Sequence, residues 1–72
     1  MRKELLIIFG KNVRTWRKKR NLSQEMLAEK AESHPNYIGF IERGERAATI
    51  VKLVALSKAL DCRVTDLLKG II

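Results

Sequence analysis

The sequence predicts an all-α fold: five helices in one compact unit spanning residues 1–72. Apolar residues recur at helical spacing along most of the chain, and a capping residue stands where most of these segments begin. No stretch reads convincingly as a strand; "TIVKLVAL" is rich in β-branched residues, but its length and its leading Thr favour a helix.

Leu5, Leu6, Phe9, Val13 and Trp16 fall on one helical stripe, so a first helix is expected from about Lys3 to Lys19. Arg17, Lys18, Lys19 and Arg20 suit its negative C-terminal end, and Asn21 suits a left-handed terminator. Ser23 is the expected N-cap of a second helix, with Glu25 in its first turn, Leu27 and Ala31 facing inward and a small Ala28 where another helix can approach. Glu32, Ser33 and His34 form a tight turn. Pro35 opens a third helix, where its missing N–H costs nothing, and Gly44 ends it; Ile38 and Ile41 are its inward positions. Thr49 caps a fourth helix with apolar Ile50, Leu53, Val54, Leu56 and Leu60. A last short helix is expected near Thr65 to Lys69, carrying Val64, Leu67 and Leu68.

The net charge is +7, and its placement is uneven. Residues 1–20 hold eight bases and one acid, whereas residues 21–72 hold seven of each. Such a pole is either matched to a polyanion or is a solvated helix face. Cys62 and His34 are the only cysteine and histidine, so neither an internal disulfide nor a metal-ligand set is expected, which fits a reducing cytoplasm. The apolar run Leu5–Phe9 is too short for a membrane span or a normal signal-peptide core. A soluble cytoplasmic protein with no cofactor, no small-molecule ligand and no membrane association is expected. There is no Gly-rich phosphate loop and no second residue to pair with His34 in catalysis, so the chain does not read as an enzyme.

The third helix is about two turns long and would be marginal alone in water. Its outward residues, Asn36, Tyr37, Gly39 and Phe40, are odd for a solvent face. Two short helices joined by a tight turn, the second needing the first to hold it, describe a helix-turn-helix over about residues 23–43, whose projecting helix can enter a major groove.

The segment "LSQEMLAEKAESHPNYIGFIERGER" resembles the helix-turn-helix of the Cro/phage-repressor (XRE) family. The marks are Leu22-Ser23-Gln24, Leu27-Ala28, Ile38 and Ile41-Glu42-Arg43-Gly44, and the likeness covers roughly residues 9–68. "NYIGFIERGER" is also similar to the controller proteins of restriction–modification systems. The resemblance implies a lambda-repressor-like five-helix domain that binds double-stranded DNA through its second and third helices. It implies that Gln24, beside Ser23 at the start of the second helix, clamps a phosphate, and that Arg17 pairs with Glu42 to tie the first helix to the third. The chain departs from the family at Glu32, where Gly or Asn is usual, at His34, where Ser or Thr often caps, and at Pro35, which cannot donate a hydrogen bond to a base.

Asn36 is the leading candidate to read a base, since its amide can pair bidentately with adenine; the alternative is a solvated first-turn Asn. Tyr37 either contacts DNA through its hydroxyl or is partly buried. Phe40 either touches thymine methyl groups or packs on a neighbouring helix. Gly39 leaves room for close approach, His34 belongs to the turn or the groove, and Arg43 and Arg46 are placed for phosphates or a groove edge. Glu25, Glu29 and Glu32 make an acidic stripe that either serves solubility or, at Glu25 and Glu29, meets RNA polymerase as in lambda-type repressors.

The function expected is sequence-specific regulation of transcription by a homodimer on a pseudo-palindromic operator, with autoregulation suggested because no room remains for an effector-binding domain. Leu53, Leu56, Val64 and Leu68 are the candidates for the dimer surface. The rival is an antitoxin or adaptor using the same fold to bind protein.

Overall fold

A computed structural model describes residues 2–72; Met1, at the start of the expected domain, lies outside them. The helices are α1 (Lys3–Lys19), α2 (Gln24–Lys30), α3 (Pro35–Glu42), α4 (Ile50–Ala59) and α5 (Val64–Leu67). No strand occurs among the described residues. The expected order holds, and so do the starts of the first four helices. The fifth begins and closes earlier than expected. Asp66 fixes its start by accepting the Arg63 N–H at 2.8 Å, and beyond Leu68 the chain turns through Gly70 at φ +86°.

Caps explain the starts. The Ser23 and Thr49 hydroxyl oxygens accept the N–H groups of Met26 and Lys52 at 3.0 and 3.2 Å. His34 caps α3 by a different route: its Nδ1 accepts the Asn36 N–H at 3.1 Å, doing with imidazole what Ser or Thr does with a hydroxyl. The ends of α1 to α4 follow one pattern. The residue after the C-cap is left-handed in each case (Asn21, Glu32, Gly44, Asp61), and the next N–H reaches back across the last turn. For α3, Gly44 N–H donates to the Ile41 carbonyl and Glu45 N–H to that of Phe40. Glu32 bears real strain at φ +53°, about 1–2 kcal/mol for a side chain there. Lys52 of α4 offsets part of it, donating from Nζ to the Glu32 carbonyl at 2.9 Å.

Phe9, Val13, Leu27, Ala28, Ile38, Ile41, Leu60 and Leu67 form the buried core with Leu56. Leu56, a candidate for the dimer surface, is instead fully buried in the core, in the helix that packs against α2 and α5. Ile50, expected among the apolar positions of α4, is 80% exposed. α1 crosses α3 so closely at Gly10 that an added Cβ would overlap the Ile41 carbonyl oxygen and lie 2.8 Å from that of Glu42. The same seam holds an ion pair: Arg17 Nε and Nη2 donate to Glu42 Oε2 and Oε1 at 2.6 and 3.0 Å, with the side chains only 12% and 3% exposed. Arg17 Nη1 also donates to the Leu22 carbonyl at 2.9 Å. The tie implied between the first and third helices is therefore present. The half-buried Cys62 packs against the core, and burial, helped by nearby Asp66, pushes its thiol pKa up.

Candidate nucleic-acid interface

α3 buries Ile38 and Ile41 and leaves Asn36 exposed, with Phe40 half-buried beside it. Its first turn is fixed by Pro35 and the His34 cap, so Asn36 projects from a set backbone. Tyr37 is half-buried against the core, and its hydroxyl donates to the Ala47 carbonyl at 3.4 Å. That favours burial, one of the two readings left open for it. Ser23 is half-buried and its oxygen is engaged in the α2 cap.

Gln24, at the start of α2, donates from Nε2 to Glu42 Oε1 at 3.2 Å. The ion pair of the seam thus also orients the glutamine, which leaves the second amide N–H for another acceptor. Gly39 lies between Gln24 and Arg43: a Cβ there would sit 3.0 Å from Arg43 Nη1 and 3.7 Å from Gln24 Oε1. Arg43 also pairs through Nε with Glu45 at 3.2 Å, on a half-exposed surface where such a pair is weak. Arg43 and Arg46 each hold their guanidinium carbon 5.1 Å from the centre of the Phe40 ring. Phe40 is half-buried, and two guanidiniums meet its ring. Gln24, Phe40, Arg43 and Arg46 form one continuous surface of amide, ring and positive charge, whereas Gly39, expected to face outward, is buried beneath the ends of Arg43 and Gln24.

One charge of the basic pole of residues 1–20 is balanced within the fold. Arg17 is consumed by Glu42, and Arg20 donates to the Leu60 and Asp61 carbonyls, both at 2.8 Å, closing the end of α4. Lys19 lies 4.5 Å above the Trp16 ring. Glu25, Glu29 and Glu32 are all exposed on α2 and its terminus.

Sequence reasoning put the candidate dimer surface partly on α4 but did not single out the residues of that helix that stand most exposed. Ile50, Val51 and Val54 are exposed, at 80%, 77% and 38%. Leu53, Val64 and Leu68 are half-buried, and Leu53 and Leu68 line a small apolar dimple with Phe9 and Ala48. The signal was available: α4 is apolar almost all round, more than one buried stripe needs. No helix among the described residues is long and apolar enough to cross a membrane, and no cluster of His, Cys, Asp and Glu among them could hold a metal ion.

The helix-turn-helix family matches residues 13–67. The chain belongs to that family. It is a DNA-binding transcriptional regulator and not an enzyme. It is 49% identical over 61 residues to the control protein C.SmaI of Serratia marcescens, covering 85% of this chain and 73% of that protein. It is 41% identical over 69 residues to the control protein C.BamHI of Bacillus amyloliquefaciens, covering 94% and 85%. Among solved structures it matches the restriction-modification controller protein C.AhdI of Aeromonas hydrophila with a TM-score of 0.84 and 37% identity, over 86% of this chain and 94% of that one. Within the matched residues, α2 and α3 are two short helices joined by the tight Ala31–His34 turn.

Proposed function

We propose that this protein binds a pseudo-palindromic operator as a homodimer, reads it through α3, and controls genes of a restriction–modification system, its own among them. The observation that carries the reading is the shape of α3. An eight-residue helix is anchored on one side by Ile38, Ile41 and Glu42, and its other side offers Asn36 and the Gln24–Arg43–Arg46 surface. Asn36 reads a base. Gln24, held by Glu42, gives its free N–H to a phosphate, where the start of α2 adds its own attraction for an anion. Ser23, His34, Tyr37, Pro35 and Gly39 shape the contact, and Arg43 and Arg46 meet phosphates or the groove edge. The likeness to controller proteins supports the regulated system, and autoregulation fits control by protein concentration. The setting is cytoplasmic.

The second copy covers the outer face of α4. Exposed Ile50, Val51 and Val54 are the kind of surface that a small protein buries by pairing; Leu53, Val64 and Leu68 are half-buried. Exposed Glu25 and Glu29 meet RNA polymerase beside the operator.

Selection of duplexes from a random pool tests the reading. Asn36→Ala costs about 1–3 kcal/mol on the preferred site and relaxes preference at one base step, while Gln24→Ala weakens all sequences alike. A sequence preference unchanged by Asn36→Ala removes Asn36 as the reader. Weak binding without preference by the wild-type protein favours the antitoxin or adaptor reading.

A further inference from the structure

We propose that Phe40 is a positioning residue: its ring is a plate that holds the Arg43 and Arg46 guanidiniums in place for the DNA backbone. The inference rests on the operator-binding reading and concerns how the same surface is prepared. Both guanidinium carbons lie 5.1 Å from the ring centre, within the range at which a cation is drawn to an aromatic face. Phe40 is itself fixed, because it lies in the last turn of α3, where the carbonyls of Phe40 and Ile41 receive the N–H groups of Glu45 and Gly44. The backbone bond from Glu45 folds the segment bearing Arg46 back toward the ring. Arg43 has further supports: the absent side chain of Gly39 makes room for its Nη1, and Glu45 accepts from its Nε. For Arg46, the ring is the support the structure shows. A free arginine loses much rotamer freedom when it grips a phosphate, and one already held on a plate loses less. The ring attracts either guanidinium without neutralising it, so the full charge stays available to a phosphate, unlike the charge of Arg17 in its pair with Glu42.

The plate makes different predictions from a thymine-reading Phe40. Phe40→Leu lowers affinity for the duplex preferred by the wild-type protein by about tenfold, the order expected when long side chains must be ordered anew on binding. Phe40→Tyr and Phe40→Trp keep a ring and keep the affinity. The slope of log affinity against log salt stays unchanged in Phe40→Leu, since no cation is lost, whereas Arg46→Ala reduces it by about 0.9 for each phosphate contact removed. Replacing thymine by uracil throughout the duplex leaves the effect of Phe40→Leu intact. In a double-mutant cycle, Phe40 couples more strongly to Arg46 than to Arg43. In the free protein, the side-chain protons of both arginines show upfield ring-current shifts that vanish in Phe40→Leu.

Absent ring-current shifts, wild-type affinity in Phe40→Leu, or failure of Phe40→Tyr to restore binding overturns the plate. So does a loss reproduced by uracil alone, which would make Phe40 a reader of methyl groups. If the shifts are present but the wild-type protein selects no duplex, the operator reading has failed and the plate has no role in binding. Urea unfolding of Phe40→Leu, matched to wild type, separates all of these from a folding defect.

Discussion

The seam between α1 and α3 and the outer face of α4 both invert the usual placement of polar and apolar groups. At the seam, a carboxylate and a guanidinium are buried and joined by two hydrogen bonds. On α4, Ile50, Val51 and Val54 stand in solvent. A buried charge needs its partner within the fold, and Glu42 has both Arg17 and Gln24. An exposed apolar patch needs no partner to fold. The seam therefore belongs to the stability of the chain, and the α4 face is the surface proposed for the second copy. Only the seam should answer to urea at low protein concentration.

Variants can break or sharpen that contrast. Glu42→Ala has the largest expected effect. It strands Arg17 in a nearly closed site and costs about 3–5 kcal/mol in urea unfolding, with a double-mutant cycle assigning most of it to the pair. A cycle without coupling would dissolve the comparison. Gly10→Ala comes next, at about 3 kcal/mol, because the new methyl meets backbone oxygens that cannot move aside. Gly39→Ala sharpens the contrast within α3. Alanine adds about 0.5–1 kcal/mol of helix stability, but its Cβ presses on the tip of Arg43. The variant should melt higher and bind the operator more weakly; a rise in both would mean that the arginine moves away freely. Val51→Glu should alter monomer stability by no more than about 0.5 kcal/mol while shifting wild-type dimers to monomers in ultracentrifugation. A wild-type protein already monomeric at tens of micromolar would deny the α4 face its partner. The smallest stability effect, again within about 0.5 kcal/mol, belongs to Glu25→Lys with Glu29→Lys. Operator binding should hold or rise as negative charge near phosphates is removed, while transcription in vitro from the target promoter falls.

Much of the fold was legible because its signals are local. Ser23, Thr49, Asn21 and Gly44 mark helix ends by their own chemistry, and Ala28, Ile38 and Ile41 are buried where helical spacing placed them. The Arg17–Glu42 pair, 25 residues apart, came only from the family resemblance; nothing in its spacing reveals it. Non-local features were the ones missed. Leu56 and Ile50 are both apolar residues of α4, and spacing along one helix does not say which side of it the rest of the chain occupies. Arg20 reads as a free cation until the end of α4 arrives beside it. Phe40 raised a question the sequence could pose but not answer, because the groups that meet its ring hang from a turn whose path depends on Gly44.

Three of the four connections between helices are built alike. Arg20–Ser23, Ala31–His34 and Leu60–Arg63 each run as C-cap, left-handed residue, linking residue and N-cap, drawn shut by backbone hydrogen bonds. Such joints contain no slack. One residue added or removed there would break this cap-to-cap pattern; absorbed within α3, it would turn that helix by about 100° on its axis and carry Ile38 and Ile41 away from the core. The segment from Arg43 to Thr49 has no such uniform closure. Changes in chain length between this protein and its relatives should therefore gather in that segment and at the two termini, and an insertion made in the Ala31–His34 turn should leave a protein that neither packs nor binds.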